Sequence, residues 1–139
     1  MSDCLFCRIA AGDVPAVRIA ETDRAIAFMD IFPAVPGHAL VIPRAHADDA
    51  LVTPDEDLAA CMQLAARVGQ AAVDALGATG VTFQSLARPD AGQTVFHLHV
   101  HVLPRSADDG FAFPWPAREG DLAEIEAIGA QLRDALAGA

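Results

Sequence analysis

The sequence predicts an α+β fold: an antiparallel sheet with one long helix packed on it, and a further helix near the C-terminal end. Three observations carry this. Short apolar, β-branched runs are joined by connections too short for parallel crossovers, which favours hairpins. One stretch, residues 53–76, keeps helical periodicity over its whole length. Val95 to Arg105, VFHLHVHVLPR, alternates His97, His99 and His101 with Leu98, Val100 and Val102, the period of a strand.

Taken in order, Cys4 to Ala11 suits a short helical turn with Phe6 and Ile9 inward, stopped by Gly12-Asp13. Val17 to Ala20 and Ala25 to Met29 read as strands around a Thr22-Asp23 turn. Pro33 to Gly37 is a loop, and His38 to Pro43 a buried strand that Pro43 ends. In the long helix Thr53 suits the N-cap, Pro54 the first helical position, and Glu56 a capping box. Leu58, Cys61, Met62, Ala65, Val68, Ala72 and Leu76 form its apolar stripe, and Gly77 its stop. Val81 to Leu86 reads as a strand, Ala87 to Gln93 as a loop, and the histidine strand follows. Asp108 to Pro116 is irregular, with Phe111, Phe113 and Trp115 alternating along it. Asp121 to Ala137 reads as the last helix, with Asp121 and Glu124 as a cap pair and Leu122, Ile125, Ile128, Leu132 and Leu136 as its stripe.

The 139 residues fit a single domain, 1–139, in which 107–139 is a C-terminal extension bearing that last helix. No apolar run approaches the roughly 18 residues of a membrane helix, so no membrane partner is expected. The N-terminal residues lack the basic and apolar regions of a signal peptide. Three cysteines suggest no disulfide framework, which makes a reducing cytoplasm the expected compartment. A net charge of −10 and the absence of lysine argue against a nucleic-acid polymer as partner. A small phosphorylated ligand needs only local donors and is not excluded.

The aliphatic face of the histidine strand can bury itself in a core. The imidazole face cannot be explained that way, because each buried ring would need its own partners. Three uses compete: no chemistry, a metal site built on His-x-His, or nucleophilic catalysis by an imidazole fixed in one tautomer. Gly92-Gln93-Thr94, just upstream, offers amides and a hydroxyl suited to phosphoryl oxygens and adds no acidic ligand. His38, on another apolar strand, can enter the same face. A second constellation is Cys4-Leu5-Phe6-Cys7. On its own a Cys-x-x-Cys pair is a redox pair, half a zinc site, or neither. A tetrahedral site needs two further ligands, and His46 is a candidate.

AGQTVFHLHVHVLPR, from Ala91 to Arg105, closely resembles the histidine triad (HIT) signature, His-φ-His-φ-His-φ-φ with φ apolar. CLFCRIAAGDVPA near the start and AFMDIFPAVPGHALVIPRAH, from Ala27 to His46, resemble the Hint-type branch in the same order. The likeness runs to Arg105. It implies a HIT-like fold and a nucleotidyl hydrolase or transferase acting at an α-phosphorus, with His99 as nucleophile. His101 would contact the phosphate or leaving group, and His38 would support the triad. Gln93 and Thr94 would hold phosphate oxygens, with Thr94 where Hint proteins usually carry Ser. Asp30 and Ile31 resemble the ribose-binding pair, and Phe6, Ile9 and Phe28 would enclose a purine; read without the likeness, those three are core packing and Asp30 a turn residue. In relatives that keep the Cys pair, a structural zinc is held at the positions of Cys4, Cys7, His46 and His97, and none is needed for the chemistry. Without zinc, His97 would join the active-site hydrogen-bond network.

The likeness also implies a homodimer through the long helix and an edge strand, and a purine nucleotide as substrate. Adenosine phosphoramidates come first and diadenosine polyphosphates second. A non-catalytic nucleotide sensor and a metal enzyme using all three histidines are the rival classes. One departure stands out. Leu86-Ala87-Arg88-Pro89-Asp90 replaces the usual Asn and Gly, and Arg88 is either a phosphate contact or a solvated loop residue.

Overall fold

The computed structural model describes residues 3–113, 115 and 117–138. Pro114 and Pro116 of the aromatic stretch, and the outermost residues of the expected domain, lie outside the described residues. The elements are α1 (Leu5–Ala11), β1 (Arg18–Glu21), β2 (Ala25–Met29), β3 (Ala39–Pro43), α2 (Asp55–Leu76), β4 (Gly80–Gln84), β5 (Val100–Arg105) and α3 (Leu122–Ala137). The five strands form one antiparallel sheet in the order β1-β2-β3-β5-β4.

Alternation along the central strands divides the core in two. Ala25, Ala27 and Met29 of β2 and Ala39 and Val41 of β3 face α2 and α3, where they meet Leu64, Val68, Ile125 and Leu132. Ile26, Phe28, Leu40 and Ile42 face the other way and pack with Phe6 and Ile9 of α1. Full burial of each large aliphatic among them stabilises the fold by about 1.5–3 kcal/mol. The sheet thus carries two helices on one face and α1 on part of the other. The uncovered part of that second face is where the histidines lie.

α1 starts at Cys4, whose sulfur accepts the Cys7 N–H at 3.4 Å. It ends at Gly12 in the left-handed region (φ 83°), which a side chain would strain. α2 does not start as the sequence suggests. Pro54 takes the cap position and Thr53 gives its hydroxyl to the Asp49 carbonyl at 2.7 Å. Glu56 forms no capping box; it pairs with Arg24, which also holds Asp57. Met62 is not a core residue: it is exposed, on the rim of α2 beside the buried Cys61. Leu122 is likewise exposed, one residue past the Asp121 cap and outside the buried stripe of Ile125, Leu132 and Leu136. The Asp121 carboxylate does cap α3, accepting from the amides of Ala123 and Glu124.

The histidine strand is shorter than its alternation implies. The ladder begins at Val100, and 95–97 bend. Upstream of it the backbone finds other partners. Leu98 N–H donates to the Ala47 carbonyl at 2.7 Å, and the His99 carbonyl accepts the Ser85 hydroxyl at 2.9 Å. Leu98, Val100 and Val102 are nevertheless buried in the sheet–helix core, so the imidazoles emerge opposite, as the pattern requires.

Candidate active site

All five histidines of the chain fall into two adjoining clusters, and their hydrogen-bond partners fix the ring tautomers. The Ala34 N–H donates to His38 Nδ1 at 3.0 Å, so the His38 proton is on Nε2. From there it is donated to His101 Nδ1 at 2.9 Å, which leaves the His101 proton on Nε2. His99 donates Nδ1–H to the His97 carbonyl at 2.8 Å, so its Nε2 carries a bare lone pair. Asp30 lies beside this chain with one carboxylate oxygen 3.5 Å from His38 Nε2, the other accepting the Phe32 N–H at 2.8 Å. Asp30, His38 and His101 could in principle offer donors to a metal. The 2.9 Å contact between the two rings is already accounted for as a hydrogen bond.

Burial decides the charge state of these rings. Desolvation takes His38 and His101 down to about 3, and the neighbouring His99 pushes both the same way. Desolvation also lowers His99, opposed by its bond to the His97 carbonyl and by the charge of Asp30. Neutral imidazoles at pH 7 follow, which is the state a nucleophile needs. Burial raises Asp30, opposed by the Phe32 amide and His99.

A hollow of about 320 Å³ opens in front of these groups. Phe6, Ile9, Phe28 and Leu40 line its apolar end; Asp30, Ile31, Thr94, His99 and His101 line the rest. The Phe6 ring meets the edge of Phe28 at 5.5 Å and of His99 at 5.1 Å, joining the two ends. Gln93 is placed differently. It is buried beside the hollow, its Nε2 donating to the carbonyls of Asp48 and Val95 and its Oε1 accepting the Arg88 N–H. Arg88 itself is 65% exposed, its Nε 3.8 Å from Asp49, and its backbone is in the left-handed half of φ (77°). Trp115 is a wall of the hollow to which the sequence assigned no role. Its indole meets His38 at 5.4 Å and His101 at 5.1 Å, both edge-on. The only signal for it was the alternation of aromatic residues from Phe111.

The second cluster is Cys4, Cys7, His46 and His97, whose donor atoms all lie within 4.8 Å of one another. His97 donates Nε2–H to the Pro43 carbonyl at 2.9 Å, and His46 Nε2 faces the Asp48 carboxylate at 2.9 Å. Both rings therefore turn a bare Nδ1 inward, and the two Nδ1 atoms are 3.2 Å apart. Cys4 Sγ is 3.4 Å from His97 Nδ1, and Cys7 Sγ is 3.3 Å from His46 Nδ1 and 3.5 Å from His97 Nδ1. A tetrahedral zinc with ordinary Zn–N and Zn–S bonds has donor–donor edges of about 3.3–3.6 Å. Two lone pairs facing at 3.2 Å repel unless a cation lies between them. The donor set, the spacing and the oriented rings fit zinc, with the Pro43 carbonyl and Asp48 as the outer partners that such ligands use.

The HIT domain family model matches residues 11–108. The adenosine 5′-monophosphoramidase of Schizosaccharomyces pombe is 35% identical over 130 residues, covering 93% of this chain and 95% of that protein. The Saccharomyces cerevisiae protein of the same name is 34% identical over 139 residues, covering 97% and 84%. A zinc-bound histidine triad family protein from Mycobacterium smegmatis superposes with a TM-score of 0.88 at 39% identity, covering 98% of this chain and 94% of that one. The chain belongs to the HIT family, and the antiparallel sheet with its long helix is the HIT fold.

Proposed function

We propose that this protein is a nucleotide hydrolase cleaving at the α-phosphorus of purine nucleoside phosphoramidates through a nucleotidyl-His99 intermediate. One observation carries the reading: His99 Nδ1–H is committed to the His97 carbonyl, so a bare Nε2 remains on a ring that lines the hollow. The yeast relatives' shared name supports the substrate class.

In this reading the purine enters among Phe6, Ile9 and Phe28, and Asp30 beside Ile31 accepts the ribose hydroxyls. Thr94 and the Gly92-Gln93 backbone hold phosphoryl oxygens, and the Gln93 side chain sets that loop. His99 Nε2 attacks phosphorus; the P–N bond of the substrate breaks and its electron pair leaves with the amine, which takes up a proton. His101, protonated on Nε2 because His38 fixes its other nitrogen, donates toward the phosphoryl group as charge builds there. Water then attacks phosphorus, the bond to His99 breaks, and the nucleoside monophosphate departs with the ring neutral again. Cys4, Cys7, His46 and His97 would hold a zinc ion, which supplies a structural cross-link between α1 and the stretch leading into β5 and no open coordination position.

His99→Asn tests this. It should lower turnover of adenosine 5′-phosphoramidate by at least about a thousandfold, while AMP binding measured by calorimetry stays within a few-fold. Near-wild-type turnover would overturn the mechanism. Preference for diadenosine tetraphosphate over the phosphoramidate would move the substrate class, and AMP binding without turnover of either would make the protein a nucleotide sensor.

A further inference from the structure

The hydrogen-bond chain that prepares His101 begins in one loop. The Ala34 N–H fixes the His38 tautomer, and His38 fixes that of His101. Ala34 belongs to the turn between β2 and β3, which closes at its base where the Asp30 N–H donates to the His38 carbonyl at 3.0 Å. The Ala34 bond to His38 is only as fixed as this turn. Two features around the turn decide how firmly it is held.

The first is a gap. A cavity of about 160 Å³ lies between the turn and α3, lined by Ala34, Val35 and His38 on one side and by Glu124, Ile125 and Ile128 on the other. Across a void the facing walls lose their contacts, so the helix does not back the turn along its length. The second is a close approach beside that gap. Gly120, one residue before the Asp121 cap, donates its N–H to the Ile31 carbonyl at 3.0 Å. A Cβ on Gly120 would stand 2.9 Å from Pro33 Cδ, 3.0 Å from Pro33 Cγ and 3.0 Å from Ile125 Cδ1. The Ile125 methyl ends a flexible side chain and can turn aside. The Pro33 ring is closed on its own backbone nitrogen and cannot retreat without moving the chain. The next peptide carries the Ala34 N–H.

We propose that Gly120 is a positioning residue for the reaction. Its N–H and its missing side chain brace residues 31–34 against the start of α3, and so hold the Ala34 N–H on His38. The C-terminal extension thereby sets the donor that His101 turns toward the phosphoryl group. The catalytic part of this inference rests on the α-phosphorus reading above; the brace itself does not.

Gly120→Ala tests it. An ordinary carbon–carbon contact of about 3.5 Å asks Pro33 and the new methyl to part by roughly half an ångström. Misplacement by about 1 Å can cost a hundredfold, so kcat on adenosine 5′-phosphoramidate should fall about tenfold. KM should change by less than about threefold, because the purine end stands on α1 and β2. The Ala34 amide proton and the His38 ring nitrogens should shift together, as their hydrogen bond lengthens. Adding Pro33→Ala removes the ring that the methyl meets, and should restore kcat to within about twofold of the wild type. Unchanged kcat and resonances in Gly120→Ala, or a loss that Pro33→Ala does not rescue, overturns the assignment. One check needs no variant to fold. In the wild type the Gly120 and Ala34 amides should exchange with solvent with protection equal within about threefold, because one opening frees both. Protection at Ala34 that far outlasts Gly120 overturns the brace and leaves the hydrolase intact. A wild type without turnover overturns the α-phosphorus reading, and the catalytic role of Gly120 falls with it.

Discussion

At the scale of single residues, the site depends on which nitrogen of each imidazole holds the proton; backbone groups decide that for three rings, and side chains for His101 and His46. The Ala34 amide, the His97 carbonyl and the Pro43 carbonyl set His38, His99 and His97 without help from a substrate. Such pre-setting has a cost that pH reveals. His38 and His101 are held down to about 3 by burial, against 6.5 for the ordinary ring. Between those values the unfolded chain binds protons that the folded one refuses, so stability rises with pH through the window and is lost as pH falls. Each ring contributes a slope approaching about 1.4 kcal/mol per pH unit below 6.5 and nothing above it. Urea unfolding of the wild type and of His38→Gln between pH 4 and 7 should show the variant's slope smaller by about that amount. Parallel slopes would mean that His38 takes up protons in the folded protein as readily as in the unfolded one.

At the scale of elements, the instructive case is the histidine strand, because its two faces were more legible than its ladder. The alternation of His97, His99 and His101 with Leu98, Val100 and Val102 identified the two faces correctly, since burial of the aliphatics depends only on alternation. It overstated the ladder: pairing with β3 stops at Val41–Val100 although β3 runs on to Pro43, and the Leu98 N–H goes to the Ala47 carbonyl instead. The start of α2 was misjudged for a similar reason. The Thr53 hydroxyl turns back to the Asp49 carbonyl four residues upstream, and Glu56 has a distant partner, Arg24, that no local pattern contains. α1 depends on such distant partners most of all. A seven-residue helix is too short to hold itself in water. It is fixed by Phe6 and Ile9 on the sheet, and by Cys4 and Cys7 gathered with His46 and His97. Elemental analysis should therefore find about one zinc per chain, and Cys7→Ser should abolish it. A metal held a thousandfold above its dissociation constant stabilises the fold by about 4 kcal/mol. Chelation should lower the unfolding midpoint accordingly and weaken AMP binding, because Phe6 and Ile9 move with α1. Absence of zinc together with a midpoint indifferent to chelator would refute the structural ion.

At the scale of the whole molecule, the misplaced Met62 becomes informative. Counting by helical spacing put it with the core, yet it is 42% exposed, and Val73, eleven residues on along the same stripe, is 37% exposed. Between them lies Gly69, where a Cβ would strike the ring of Phe83 at 2.9 Å. Phe83 thus packs across the bare helix at Gly69, and is itself 39% exposed on β4, an edge strand. Three large apolar side chains, two on α2 and one on the edge strand β4, are therefore exposed. Monomers protect or cover such edges, and apolar patches of this kind mark interfaces. A twofold pairing would bury the same patch from both copies, because an isologous interface joins like to like. The prediction is a homodimer closed through α2 and β4. Sedimentation should give twice the chain mass for the wild type and a single chain mass for the double variant Met62→Glu, Val73→Glu, whose substituted positions face solvent and leave the sheet–helix core untouched. A wild type that sediments as one chain at micromolar concentration would refute it, and would leave the exposed Phe83 stripe in need of a different partner.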